Sequence, residues 1–150
     1  MKVGVLFPSR FEDPGEFLAD ARAMEAAGAD SVWMEDGEGL DPMLALAAIA
    51  AVTGRLRLGL ITANTSSPSG GGSGRGLQTL QRLSRQRVIT DEKRWRRVEV
   101  PADREAWAKT LEQAQPDLEG VLVPMDPRLL DILRHPDEAI DRSDLLLAQG

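Results

Sequence analysis

The sequence contains no cysteine and a single histidine, His135. Without cysteine, disulfides and thiolate chemistry are excluded, and a reducing cytoplasm is the expected location. One histidine cannot build a His-rich site, so no metal is expected, and a histidine-based triad is disfavoured. No stretch approaches the about 18 consecutive apolar residues of a membrane span, so no membrane partner is expected. The opening MKVGVLFPSR has one lysine before a short apolar run that Pro8 interrupts, too brief for a signal peptide. Acids outnumber bases, 24 to 18, and the net charge of −6 argues against nucleic acid as a partner.

What is present is globular in kind. The chain has 150 residues, 42% of them apolar and 28% charged, enough for one domain with a core. Its charges are uneven, with ten acids in residues 12–41 and seven bases in residues 82–97. Solvated helix faces account for both runs. A basic rim for a phosphorylated ligand, or a self-complementary contact between subunits, is the sharper reading.

The apolar run KVGVLFP (2–8) ends at proline in the manner of a buried strand. Asp13-Pro14 then opens a helix, with aspartate as N-cap and proline in the first turn. Phe17, Ala21 and Met24 share its inner face, and Gly28 closes it. SVWME (31–35) is a second strand, Asp41-Pro42 starts a second helix over 43–52, and LRLGLITA (56–63) is a third strand. Strand, helix, strand, helix, strand with short connections makes right-handed crossovers and a parallel sheet. Further on, 77–85 and 102–115 read as helices, 120–126 as a strand and 127–135 as a helix. RVIT (87–90) fits a short strand, and 91–100 is ambiguous between a turn and an extended segment. Trp33 belongs to the core. Trp95, among arginines, suits either a cation–π contact or packing beneath a loop.

Between the third strand and the next helix lies SSPSGGGSGRG (66–76), at a position where backbone N–H groups can cradle a phosphate. Neither G-x-x-x-x-G-K-[ST] nor G-x-G-x-x-G fits any frame in it. A flexible Gly/Ser connector is the better reading, with Arg75 placed to meet an anion at the helix start.

MEAAGADSVWMEDGEGLDPMLALAAIAAVTGRLRLGLITAN (24–64) resembles the luciferase-like monooxygenase family of flavin- or deazaflavin (F420)-dependent TIM-barrel oxidoreductases. The A-G-x-D-S-V-W entry into the second strand is matched, and so is the D-P-x-x-x-L-A helix with its following strand. LQTLQRLSRQRVI (77–89) is similar to the next family segment, with Arg85-Gln86 where a Gly-Gly pair is usual. DPRLLDILRHPDE is more loosely similar to the C-terminal part. The resemblance implies an α/β fold of parallel βα repeats, a shortened, partial TIM-barrel-like sheet with flanking helices. The whole of 1–150 would form this single domain, with a flexible loop at 66–76. Two departures stand out. A full barrel needs about 250 residues, so the middle is missing, and Glu35-Asp36-Gly37 stands where many members carry an acid followed by histidine.

In such a barrel, chemistry sits at the C-terminal ends of the strands. The resemblance therefore implies FMN or F420 as cofactor, with Phe7, Glu35, Thr62, Asn64 and Arg75 as its binding residues. Asp36, in the place of the family acid, would be the catalytic acid or base, acting on a small-molecule substrate. An incomplete sheet exposes apolar edges and an apolar concave face, so a homodimer or a larger barrel homologue is the expected partner. The alternative is a non-catalytic half-barrel, an accessory or assembly subunit that has lost cofactor binding.

Overall fold

The computed structural model describes residues 1–62, 73–89 and 91–134. Asn64, His135 and most of the glycine-rich stretch lie outside the described residues. In chain order the elements are β1 (Lys2–Leu6), α1 (Pro14–Ala26), β2 (Ser31–Glu35), α2 (Pro42–Val52), β3 (Arg57–Ile61) and α3 (Ser73–Leu83). They continue with β4 (Val88–Ile89), a 3-10 turn (Glu92–Arg94), β5 (Trp95–Arg97), α4 (Arg104–Glu112), β6 (Gly120–Pro124) and α5 (Pro127–Arg134). The six strands form one sheet in the order β4-β3-β2-β1-β6-β5, and every pairing is parallel. This is a curled half-barrel with helices on its outer side, as the pattern of alternating strands and helices predicts.

The Asp-Pro starts work as their chemistry dictates. Asp13 accepts from the N–H groups of Gly15 at 2.7 Å and Glu16 at 3.3 Å. Asp41 does the same for Met43 at 2.9 Å and Leu44 at 3.3 Å. Gly28, at φ 94°, supplies the left-handed turn that ends α1. Helix α3 begins at Ser73, so the last four residues of the glycine-rich stretch are helical. Where the family usually has two glycines, Arg85 and Gln86 hold φ values of 57° and 65°. A side chain in this region is strained, and the backbone explains the family's preference for glycine there.

Strand residues alternate between two packing layers. Val5, Val32, Met34, Leu58, Val121 and Val123 face the helices and pack on Phe17, Met24, Leu46, Ile49, Leu80, Trp107 and Leu129. The concave side is filled by Trp33, Trp95 and Leu122, with Leu6, Ile61 and Ile89 packed against them. Glycines make this possible: a Cβ on Gly59 would overlap the Trp33 ring, and one on Gly120 would overlap Trp95. The two indoles meet with ring centroids 5.2 Å apart although β2 and β5 are not neighbours in the sheet. That contact requires strong curvature, and it covers the concave face with side chains of the chain itself. Trp33 Nε1 donates to the buried Ser31 Oγ at 2.9 Å. Trp95 Nε1 is buried with no acceptor among the described residues. Trp95 is buried in this strand cluster rather than beneath a loop, and it also carries a guanidinium over its ring; the cation is Arg57, 5.7 Å away, rather than a sequence neighbour.

Candidate functional site at the C-terminal mouth

Parallel strands place all their C-terminal ends on one side, and the loops leaving them form the mouth of the half-barrel. A cleft of about 450 Å³ opens there, lined by Leu6, Phe7, Pro8, Ser9, Arg10, Glu35, Pro124 and Met125. Its walls come from β1, β2 and β6 and the residues that follow β1 and β6. Leu6, Glu35 and Pro124 occupy the inward positions of their strands, in step with Gly4, Trp33 and Leu122 two residues earlier. Apolar surface below and polar groups at the rim suit an organic ligand.

Glu35 crosses the mouth to Arg97, at the end of β5, in an ion pair. Glu35 and Trp33 lie two residues apart on β2, as do Arg97 and Trp95 on β5, so the charged pair sits directly above the indole pair. Its side chains are 48% and 52% exposed. Such a pair is held weakly and can be exchanged at little cost.

The other expected site residues distribute around this centre. Phe7 lines the cleft, while its ring meets Phe17 edge-on at 5.5 Å in the helix-side core. Asp36 is exposed at the rim, its backbone N–H donating to Ile61 O at 3.0 Å. Thr62 lies apart from the cleft, in a second one of about 460 Å³ beside β4, with Leu60, Leu77, Val88, Ile89, Asp91, Glu92 and Lys93. Arg75 is exposed in the first turn of α3. The mouth thus brings Phe7 and Glu35 together; Thr62 and Arg75 belong to the α3 side. Arg97 escaped the sequence reading because its strand is three residues long and charge-rich. The period-2 spacing of Trp95 and Arg97 is the signal that places both on one face.

The two indoles fill the interior, so a ligand at the mouth is confined to the surface that Leu6, Pro8 and Met125 help to form. An anionic group meets a narrower choice. The N-termini of α1, α2, α4 and α5 already hold the carboxylates of Asp13, Asp41, Asp103 and Asp126. These occupy the amides that would otherwise bind phosphate. Among the described residues, Arg10 at the cleft, Arg97 across the mouth and Arg75 at the start of α3 are exposed cations. Among the described residues no cluster of histidine, aspartate and glutamate fits a metal ion. No described helix is long and apolar enough to cross a membrane.

Residues 1–90 match the family model described as luciferase-like monooxygenase. No curated protein matches the chain. The match spans β1 to β4 and includes the β1 and β2 walls of the mouth, and it covers more than half of the sequence. The chain therefore belongs to the luciferase-like monooxygenase family, a family of flavin-type oxidoreductases.

Proposed function

We propose that this chain is an oxidoreductase that uses a flavin or deazaflavin, FMN or F420, on a small organic substrate at the C-terminal mouth of the half-barrel. The observation that carries this reading is the cleft of about 450 Å³ built from the ends of β1, β2 and β6, at the position where βα barrels do their chemistry. The bound cofactor supplies the redox chemistry of its ring. The protein's contribution is to bind, orient and exclude water. Leu6, Phe7 and Met125 offer apolar surface for the ring, while Arg10 and Arg75 are the candidate partners of its anionic end. Asn64 is a candidate hydrogen-bonding group for the ring edge, and Thr62, in the cleft beside β4, is a candidate only for a part of the ligand that reaches the α3 side. Asp36, exposed at the rim and fixed through its amide to Ile61 O, is the candidate for holding or moving a proton at its carboxylate. The filled interior beneath the mouth keeps water from approaching the ring from below.

The test is titration of the purified protein with FMN and with F420, followed by absorbance and fluorescence. Saturable binding of one of them is expected. If neither binds at concentrations up to about 1 mM, an affinity of only about −4 kcal/mol, the reading is to be abandoned.

A further inference from the structure

We infer that the mouth takes substrates carrying a carboxylate on an apolar body, with the carboxylate seated on Arg97 in place of Glu35. This deepens the reading above by naming the substrate class of the same site, and it rests on that reading for the site's purpose.

The inference starts from two guanidiniums of the concave side that are treated differently. At the N-terminal end, Arg57 donates through Nε and Nη2 to Asp30, at 3.1 and 2.7 Å, and through Nη2 to Glu119 at 2.8 Å. Its fork is occupied by two carboxylates, one of them gripped from two nitrogens. At the mouth, Arg97 has one carboxylate on one nitrogen, and Glu35 is its only partner among the described residues. Four of its five N–H donors remain for another acceptor. Glu35 shows by its own presence what the position accepts: a carboxylate approaching from the β1–β2 side of the mouth. Half-exposed, it can be replaced with little loss.

Surroundings select the rest of the ligand. The cleft on the Glu35 side is walled by Leu6, Phe7, Pro8, Pro124 and Met125. These surfaces reward an aliphatic or aromatic body and offer few partners to a polyhydroxylated one. Arg10 on the same rim adds positive charge at the cleft. A carboxylate anchored on Arg97 would lay its apolar chain toward Pro124 and Leu6.

The experiment needs no cofactor. Hexanoate and hexan-1-ol are titrated onto the protein alone, read by tryptophan emission, since Trp33 and Trp95 lie immediately below the pair. The same is done for Glu35→Gln and Arg97→Gln. Expected is saturable binding of hexanoate in preference to hexan-1-ol. Removing the competing carboxylate in Glu35→Gln should tighten hexanoate by up to about five-fold. Arg97→Gln should weaken it by about ten-fold or more while leaving hexan-1-ol unchanged. Equal binding of acid and alcohol, or hexanoate binding that ignores both substitutions, overturns the inference. Because FMN and F420 are absent, failure here leaves the cofactor reading standing. Failure of the cofactor titration in turn leaves a carboxylate site without redox chemistry.

Discussion

The two ends of the sheet are built on opposite principles. At the N-terminal end, polar groups are locked into multiple bonds. Arg57 joins β3 to Asp30 and to Glu119, and Lys2 reaches the same Glu119 at 3.0 Å, so four strands are tied across the curve. Glu25, in the last turns of α1, accepts from the amides of Gly54, Arg55 and Leu56. Arg87, just before β4, donates to the carbonyls of Ala50, Thr53, Leu56 and Ser84. At the C-terminal end, the pair that crosses the mouth is a single exposed contact between Glu35 and Arg97. Barrels with βα repeats separate stability from chemistry in this way, leaving the C-terminal face free to exchange partners. The contrast separates two kinds of contact: multiply bonded polar groups at the end that holds the fold, and a single exposed pair at the end proposed to meet ligands.

The largest expected effect tests the filled interior that joins the two ends. Trp33→Ala empties a fully buried site, and urea unfolding should show a loss of about 3–5 kcal/mol. A loss under about 1 kcal/mol would mean that the indoles do not hold the curvature.

Glu25→Gln comes next and probes the N-terminal end alone. Burial pushes the Glu25 carboxyl up, but the three amide bonds and nearby Arg55 outweigh it and hold the group below its ordinary value. A carboxylate with a depressed folded value contributes stability that is present above its unfolded value and is lost as pH falls through the folded one. Glu25→Gln should cost roughly 2 kcal/mol at pH 7. Unfolding curves of the two proteins should converge as the pH drops below 4.5; a pH-independent gap contradicts the assignment. A smaller gain is expected from Arg85→Gly with Gln86→Gly. Relief of two left-handed side chains, offset by the greater freedom of glycine when unfolded, should raise stability by about 1 kcal/mol in the same assay. Smallest of all is Arg97→Gln at the mouth, where unfolding should shift by no more than about 0.5 kcal/mol. A larger change would place Arg97 with Arg57 as a structural residue and erase the contrast between the ends.

The first three strands and two helices were legible because each boundary has its own chemistry: Asp-Pro caps, Gly28 in the left-handed region, and β-branched or apolar strands of five residues. The left-handed pair at Arg85 and Gln86 was not read from the sequence, where the resemblance marked the position only by the glycines usual there. What stayed hidden was non-local. Strand β5 carries Arg96 and Arg97 and stays ambiguous between a turn and an extended segment until β6 is laid beside it, because pairing rather than propensity makes it a strand. Glu25 and Arg87 look like surface charges in sequence, yet each satisfies backbone groups about 30 residues away. The site followed the same rule. Phe7, just past β1, and Glu35, the last residue of β2, line the cleft that their positions at strand ends suggest. Thr62 is equally terminal, but its side of β3 faces α3 and not the mouth. Arg97 needed the curvature that brings β5 opposite β2.

The central claim is that the exchangeable end is where a cofactor acts. Hydrogen exchange of the protein with and without saturating FMN or F420 tests it most directly, since protection is read segment by segment. Slower exchange is expected at residues 6–10, 35–37 and 124–126, with none at 54–57, 85–87 or 117–120. Protection confined to the N-terminal turns, or spread evenly over both ends, would contradict it.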